Sequence, residues 1–205
     1  MNVTGFYAVL DRDDEALARA LVIDGGAKIL QVRIKPRGSA AAADASDIVR
    51  IARMARRICD EAGAMLVVND RVDIAMAVRA DGVHLGQTDL PIADARRIAG
   101  DRLFIGVSTH DLEQVRIACT AGADYLGFGP VFATSTKANP DAVQGIEQLR
   151  AAVALAKRVP VVAIGGVMPA HAAALYAAGA SAICAIGAVN EVADVGAAAR
   201  SLARS

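Results

Sequence analysis

Residues 67–91 read VVNDRVDIAMAVRADGVHLGQTDLP. Two short apolar runs each pass straight into a polar, acidic tip, Asn69-Asp70 and Gln87-Thr88-Asp89, with an Ala-rich helical pattern between them. Runs this short are too brief for helices and suit strands buried on both faces. The stretch is therefore a strand-helix-strand unit with a carboxylate at the same end of each strand. Parallel neighbours lie about 4.8 Å apart, so Asp70 and Asp89 are placed to share one hard cation. Two carboxylates plus substrate phosphates are a usual way to hold magnesium.

The same phrase recurs along the chain as GGAKILQVRIK from Gly25, AGAMLVVND from Ala62, ADGVHLGQTD from Ala80, AGADYLGFGP from Ala121 and AGASAICAIG from Ala178. A glycine suits each helix C-terminus because it adopts the left-handed conformation without a side-chain clash. Further strands are expected at GFYAVLD from Gly5, LFIGVS from Leu103 and PVVAIGG from Pro160. Helical patterns begin near Asp14, Ala42, Val72, Pro91, Asp111, Gly145, Ala170 and Glu191. Strict alternation implies parallel strands with crossover helices. Eight such units can close into an α/β fold of the (β/α)8 TIM-barrel type, compact against the roughly 250 residues usual for it. One domain over residues 1–205 is expected. An open, doubly wound sheet shares the pattern and stays as the alternative, because closure is a tertiary property. The stretch from Pro130 to Val143 breaks the economy of loops, and long loops in compact domains are usually functional or mobile; it is the candidate lid.

Composition narrows the function classes. The chain has 205 residues, is 55% hydrophobic and 21% charged, and carries no net charge. That is ample for a core, and no global field draws nucleic acid or an acidic membrane. With 3% aromatic residues, stacking platforms for single-stranded nucleic acid are few. Cys59, Cys119 and Cys184 are odd in number and far apart, which reads as buried thiols in a reducing compartment. The opening MNVTGFYAVLDRDDE lacks a basic segment followed by a long apolar run, so no signal peptide is expected. No stretch approaches the roughly 18 apolar residues of a membrane span. A cytoplasmic protein is expected; the oligomeric state, a homo-oligomer included, is left open.

Barrel active sites form at the C-terminal ends of the strands. Those ends carry Gln31, Arg33 and Lys35, then Asn69 and Asp70, then Gln87 and Asp89, then Ser108. The long loop adds Thr134, Ser135, Thr136 and Lys137, and the last two strands add Gly165, Gly166, Ile186 and Gly187. The set is cationic, hydroxyl-rich and glycine-rich with two carboxylates, suited to a phosphorylated substrate and a divalent metal. Inward charges such as Arg33 and Lys35 need partners, so a site is the stronger reading for them. Two readings stand for Asp70, metal ligand or N-cap of the helix at Val72, and two for Ser108, ligand contact or cap of the helix near Asp111. His84 alternates with Gly82 and Gly86, and a lone strand histidine is more often a satisfied core residue. His110 and His171 are assigned no role, and the three histidines make no zinc spacing. Gly165-Gly166 lacks the full dinucleotide fingerprint. The loops after strands seven and eight are the recurrent phosphate cradle of such barrels, although tight turns alone would also call for these glycines.

Taken together, QVRIK at 31–35, VNDRVDIAMAVRADGVHLGQTDLP at 68–91, IGVSTH at 105–110, GADYLGFGPVFATSTK at 122–137 and VVAIGGV at 161–167 resemble the thiamine-phosphate synthase family. The likeness covers nearly the whole chain and rests on the ordered set. It implies condensation of hydroxymethylpyrimidine diphosphate with a thiazole phosphate to thiamine phosphate, with release of diphosphate. By the same resemblance Asp70 and Asp89 hold Mg2+ on the diphosphate. Gln31, Arg33, Lys35, Asn69, Ser108 and Lys137 bind the pyrimidine diphosphate, with Arg33, Lys35, Ser108 and Lys137 in catalytic roles. Thr134, Ser135, Thr136, Gly166, Ile186 and Gly187 bind the thiazole phosphate. The family commonly has Glu where this chain has Ile34, and often Ser where it has Gly187.

Three other functions compete. A thiazole tautomerase shares the fold but carries a histidine where this chain has Pro130, which has nothing to titrate. A non-catalytic binder of thiamine phosphates would not require two metal carboxylates. A sugar-phosphate isomerase wants a well-placed general base, and no Glu lies at a strand end.

Overall fold

The computed structural model of the chain describes residues 3–35, 43–134 and 142–203. Its strands are β1 (Gly5–Leu10), β2 (Ile29–Val32), β3 (Met65–Asn69), β4 (Gly82–Leu85), β5 (Phe104–Thr109), β6 (Tyr125–Phe128), β7 (Val161–Ile164) and β8 (Ala182–Cys184). All are parallel and pair in chain order. β8 returns to β1 through Gly5 opposite Ala182 and Phe6 opposite Ile183, so the sheet is a closed barrel and the open alternative does not hold.

The helices are α1 (Glu15–Arg19), α2 (Ala45–Ala62), α3 (Val72–Ala77), α4 (Ile92–Ala99), α5 (Leu112–Thr120), α6 (Gly145–Ala156), α7 (Ala172–Ala177), α8 (Gly187–Asn190) and α9 (Val195–Leu202). A π-helical turn, Ala20–Asp24, continues α1. Aspartates set several of the starts. Asp14, Asp44, Asp111 and Asp194 each accept the backbone N–H three residues on, satisfying a donor that the first turn leaves unpaired. The helix expected near Ala42 begins, among the described residues, at Ala45 behind the Asp44 cap; Ala42 itself lies outside them. The helix expected near Glu191 is two pieces. A single turn, α8, follows β8 directly, and α9 starts only where Asp194 caps it.

Period-two alternation along the strands divides the apolar residues into two cores. Phe6, Ala8, Leu10, Leu30, Leu66, Val83, Leu85 and Ile105 point outward and are buried beneath the helices. Tyr7, Val9, Ile29, Val67, Tyr125, Val162 and Cys184 point inward and fill the barrel. Each branched aliphatic side chain so buried contributes about 1.5–3 kcal/mol. The inner core holds large rings because neighbouring strands offer glycine. A Cβ on Gly106 would lie 2.0 Å from the Tyr125 ring, and one on Gly82 would lie 2.4 Å from Phe104.

At the end of the barrel where strands begin, one device appears twice. The Asp81 N–H donates to the Leu66 carbonyl at 2.9 Å, while its carboxylate accepts the Leu66 N–H at 2.7 Å and an Arg56 guanidinium N–H at 2.7 Å. Asp124 repeats this with Ile105 at 2.8 and 2.7 Å and with Arg96 at 2.7 Å. Each clamp ties a helix to the strand after it and to the next strand. The backbone N–H it satisfies belongs to a residue with no exposed surface.

The three cysteines are free thiols. Cys59 and Cys184 are buried, which pushes both thiols up to about 12. Cys119, expected to be buried, sits on the flank of α5 and is only partly covered. Among the described residues no helix is long and apolar enough to cross a membrane.

Two outcomes are expected. Asp81→Ala and Asp124→Ala should each lower unfolding free energy by about 2 kcal/mol, because each strands a buried N–H; urea titration measures this, and values near zero would show the clamps to be ornamental. In the native protein at mildly alkaline pH, a maleimide should label Cys119 well ahead of Cys59 and Cys184, read by peptide mass spectrometry. Equal labelling of all three would contradict the burial described.

Candidate active site

A cavity of about 750 Å³ opens at the C-terminal ends of the strands, within the size range of small-molecule sites. Gln31, Arg33, Lys35, Asn69, Asp70, Asp89, Ser108, Thr134, Gly166, Ile186 and Gly187 all line it. Ser135, Thr136 and Lys137 lie outside the described residues.

One side of the rim is charged. Directly after β3, Asp70 takes a left-handed backbone with φ of 63°, a conformation costing a non-glycine residue about 1–2 kcal/mol. Its N–H donates to the His84 carbonyl on β4 at 2.8 Å, and its carboxylate pairs with the Lys35 ammonium. It therefore does not cap α3, whose cap position is Arg71 without a side-chain bond. Strain of this kind is concentrated where a side chain must be aimed. Asp89 sits in the turn after β4, where its Oδ2 accepts the Gly86 N–H at 2.7 Å. Burial, and then the neighbouring Asp70 carboxyl, raise its pKa above the usual carboxylate range. Two carboxyls close enough to repel, beside a lysine, form an all-oxygen donor pair. Among the described residues no three His, Cys, Asp or Glu converge. A cation here would thus complete its shell with substrate and water oxygens, the habit of Mg2+ rather than of zinc. Arg33 and Lys35 reach the cavity from the segment after β2, while Ile34 between them turns back and packs on the outer core. The glutamate common at that position in the resembled family would therefore not face the cavity.

The floor is neutral and continuous. Gln31 Nε2 donates to the Tyr7 hydroxyl at 2.8 Å, Tyr7 and Tyr125 hydroxyls are 2.8 Å apart, Tyr125 meets His84 Nδ1 at 2.9 Å, and His84 Nε2 meets Ser108 Oγ at 2.9 Å. Burial pushes both tyrosines above their ordinary value. Burial, and then the Arg33 charge, hold His84 down to about 4, so its imidazole is uncharged near neutrality. Ser108 is not a helix cap, since Asp111 caps α5.

The opposite wall comes from β6, β7 and β8. The chain after β6 crosses close over β7: Val131 N–H donates to Ile164 O at 2.9 Å and Phe132 N–H to Gly165 O at 3.0 Å. Gly165 and Gly166 have φ of 93° and 62°, and a Cβ on either would lie within 2.4 Å of Pro130 Cα or 2.2 Å of the Ala133 oxygen. Loop crossing as well as turn geometry thus demands these glycines. Ile186 and Gly187 open the short helix α8, and a Cβ at Gly187 would meet nothing nearer than Glu191 Oε2 at 3.9 Å. A serine there fits.

Among the cavity residues that sequence reasoning missed, four carry aromatic rings. Tyr7, His84 and Tyr125 form the floor, and His110 donates from Nδ1 to the Gly129 carbonyl at 2.6 Å. His84 carried a signal, because it alternates with two glycines on an inward face. The tyrosines carried none beyond inward parity.

Known proteins resemble this chain over most of its length. Residues 6–189 match the family model described as thiamine monophosphate synthase. The thiamine-phosphate synthase of Moorella thermoacetica is 44% identical over 178 residues, 87% of this chain and 81% of that protein. That of Chloroflexus aurantiacus is 44% identical over 191 residues, 93% of this chain and 84% of that protein. The solved thiamine phosphate pyrophosphorylase from Pyrococcus furiosus superposes with a TM-score of 0.86 at 37% identity, covering 98% of this chain and 94% of that one. A match spanning most of the chain, with relatives this similar over most of their own length, decides the matter: the chain belongs to the thiamine monophosphate synthase family.

Proposed function

We propose that this chain is a thiamine-phosphate synthase, a transferase that joins hydroxymethylpyrimidine diphosphate to thiazole phosphate and releases diphosphate. The observation that carries the reading is the polarised cavity, with Asp70, Asp89, Arg33 and Lys35 on one side of a floor that holds no charge.

The bond between the pyrimidine methylene carbon and the diphosphate oxygen breaks, and its electron pair leaves with the diphosphate. The thiazole nitrogen then supplies the pair for the new C–N bond. Neither step needs a protein nucleophile. Arg33 and Lys35, with Lys137 by family resemblance, face the departing negative charge and stabilise it more as it develops. Asp70 and Asp89 are the residues that would hold Mg2+, which when bound neutralises diphosphate oxygens. Gln31, Asn69 and Ser108 hold the pyrimidine so that its methylene faces the thiazole. Gly166, Ile186 and Gly187, with Thr134 and by resemblance Ser135 and Thr136, take the thiazole phosphate. Water would trap the cationic carbon and has to be kept from it; most of the candidate lid, residues 135–141 of the stretch from Pro130 to Val143, lies outside the described residues. The substrates are small phosphorylated molecules, and the protein works in the cytoplasm.

Purified protein with both substrates and Mg2+ should form thiamine phosphate, detected as fluorescent thiochrome after oxidation, and a chelator should abolish the product. No product from folded protein would redirect the reading to a tautomerase or a binder. Asp70→Asn and Asp89→Asn should each cut turnover by about a hundredfold or more while leaving the thermal midpoint near the parent value. Near-normal turnover in both at limiting Mg2+ would remove the metal assignment.

A further inference from the structure

The five side chains of the floor form one unbranched line from β2 to β5, and the direction of its hydrogen bonds has a chemical consequence. At one end the structure turns the Gln31 amide nitrogen, which can only donate, toward the Tyr7 hydroxyl; the opposite amide orientation would put an acceptor there and reverse the line, and the tautomer of His84 tells the two apart. Tyr7 accepts the amide hydrogen and is 3% exposed, so its own hydrogen needs a protein acceptor; Tyr125 stands 2.8 Å away. Tyr125, with its oxygen accepting from Tyr7, sends its hydrogen to His84 Nδ1. An imidazole that accepts at Nδ1 carries its proton on Nε2. His84 therefore donates to Ser108 Oγ, whose own hydrogen remains for the cavity.

We propose that Tyr7, Tyr125 and His84 are positioning residues that lock His84 in the Nε2–H tautomer and so fix Ser108 as a hydrogen-bond donor to the bound ring. The opposite polarity would turn His84 Nε2 into an acceptor and make Ser108 the hydroxyl half of a serine–histidine nucleophile pair. At 2.9 Å the two residues are close enough for that chemistry, and the tyrosine line denies it. With Gln31 committed to Tyr7 through Nε2, its carbonyl oxygen is left as an acceptor. The floor thus offers a donor at Ser108 and an acceptor at Gln31, a pattern that selects a heteroaromatic ring with a bare ring nitrogen beside an amino group. That substrate-level part rests on the synthase reading; the tautomer does not.

The test has two arms. Nitrogen-15 spectra of the unmodified, histidine-labelled protein, with His84 assigned by the missing signals of His84→Gln, should show one Nε2–H tautomer at neutral pH. An Nδ1–H tautomer, or an imidazolium, overturns the proposal whether or not the protein makes thiamine phosphate. In kinetics, Tyr125→Phe should raise KM for the pyrimidine diphosphate by about tenfold, with kcat within about threefold and KM for thiazole phosphate unchanged. His84→Gln, whose amide N–H can reach Ser108, should restore most of what His84→Leu loses. A Tyr125→Phe effect on both KM values alike, or equal loss in the Gln and Leu variants, would reduce the line to a structural role and overturn the assignment. Absence of product from the unmodified protein would sink the synthase reading and leave the spectroscopic arm standing.

Discussion

Inside a closed barrel of eight strands there is room for side chains and little else. Tyr125 occupies much of that space, crossing to Tyr7 on the far side, with ring centroids 5.9 Å apart. Glycine at 106 is the complement of that ring. The polar line from Gln31 to Ser108 can exist only because the tyrosine hydroxyls meet at the centre. A phenol suits this place because most of it is apolar and a single atom needs satisfying. The lower barrel is therefore packed as a core, and the cavity begins where the tyrosine rings end.

Charge is distributed accordingly. Below, groups that could ionise are held neutral by burial: both tyrosines and Cys184 are pushed up and His84 is pushed down. Above, Asp70, Asp89, Arg33 and Lys35 are partly open to water. A substrate with a neutral aromatic end and a multiply charged end is oriented by this gradient before any specific contact is made. The same division suits a reaction in which charge separates along the length of the substrate, because among the described residues the charged side chains of the cavity lie on one side of its rim.

Much of this was legible along the chain, for physical reasons that differ by element. The strands announced themselves as brief apolar runs, five of them behind a Gly- or Ala-rich helix end, and the residues after those runs had to lie at one end of a parallel sheet. Asp70, Asp89, Arg33 and Lys35 followed from position alone. Closure did not, since it depends on β8 finding β1 across nearly the whole sequence. Nor did the floor: Tyr7, His84 and Tyr125 are 77 and 41 residues apart, and their hydrogen bonds exist only in three dimensions. The short helix α8 was hidden because four residues show no periodicity. Asp70 read equally well as a cap until its backbone proved left-handed.

The paired aspartate clamps at the opposite end carry a mechanical meaning. The Asp81 clamp binds α2, β3 and β4 into one block, and the Asp124 clamp binds α4, β5 and β6 into another. Between the blocks runs the segment from Gly86 to Pro91, which neither clamp touches and which carries Asp89. That segment is held at its own end of the barrel, where Asp89 Oδ2 accepts the Gly86 N–H at 2.7 Å and Gln87 Nε2 donates to the Ser108 carbonyl of β5 at 2.6 Å. The clamps fix where the strands begin, and a separate set of bonds fixes the carboxylate at the end where they finish. A change at one end of the barrel thus leaves the bonding of the other untouched.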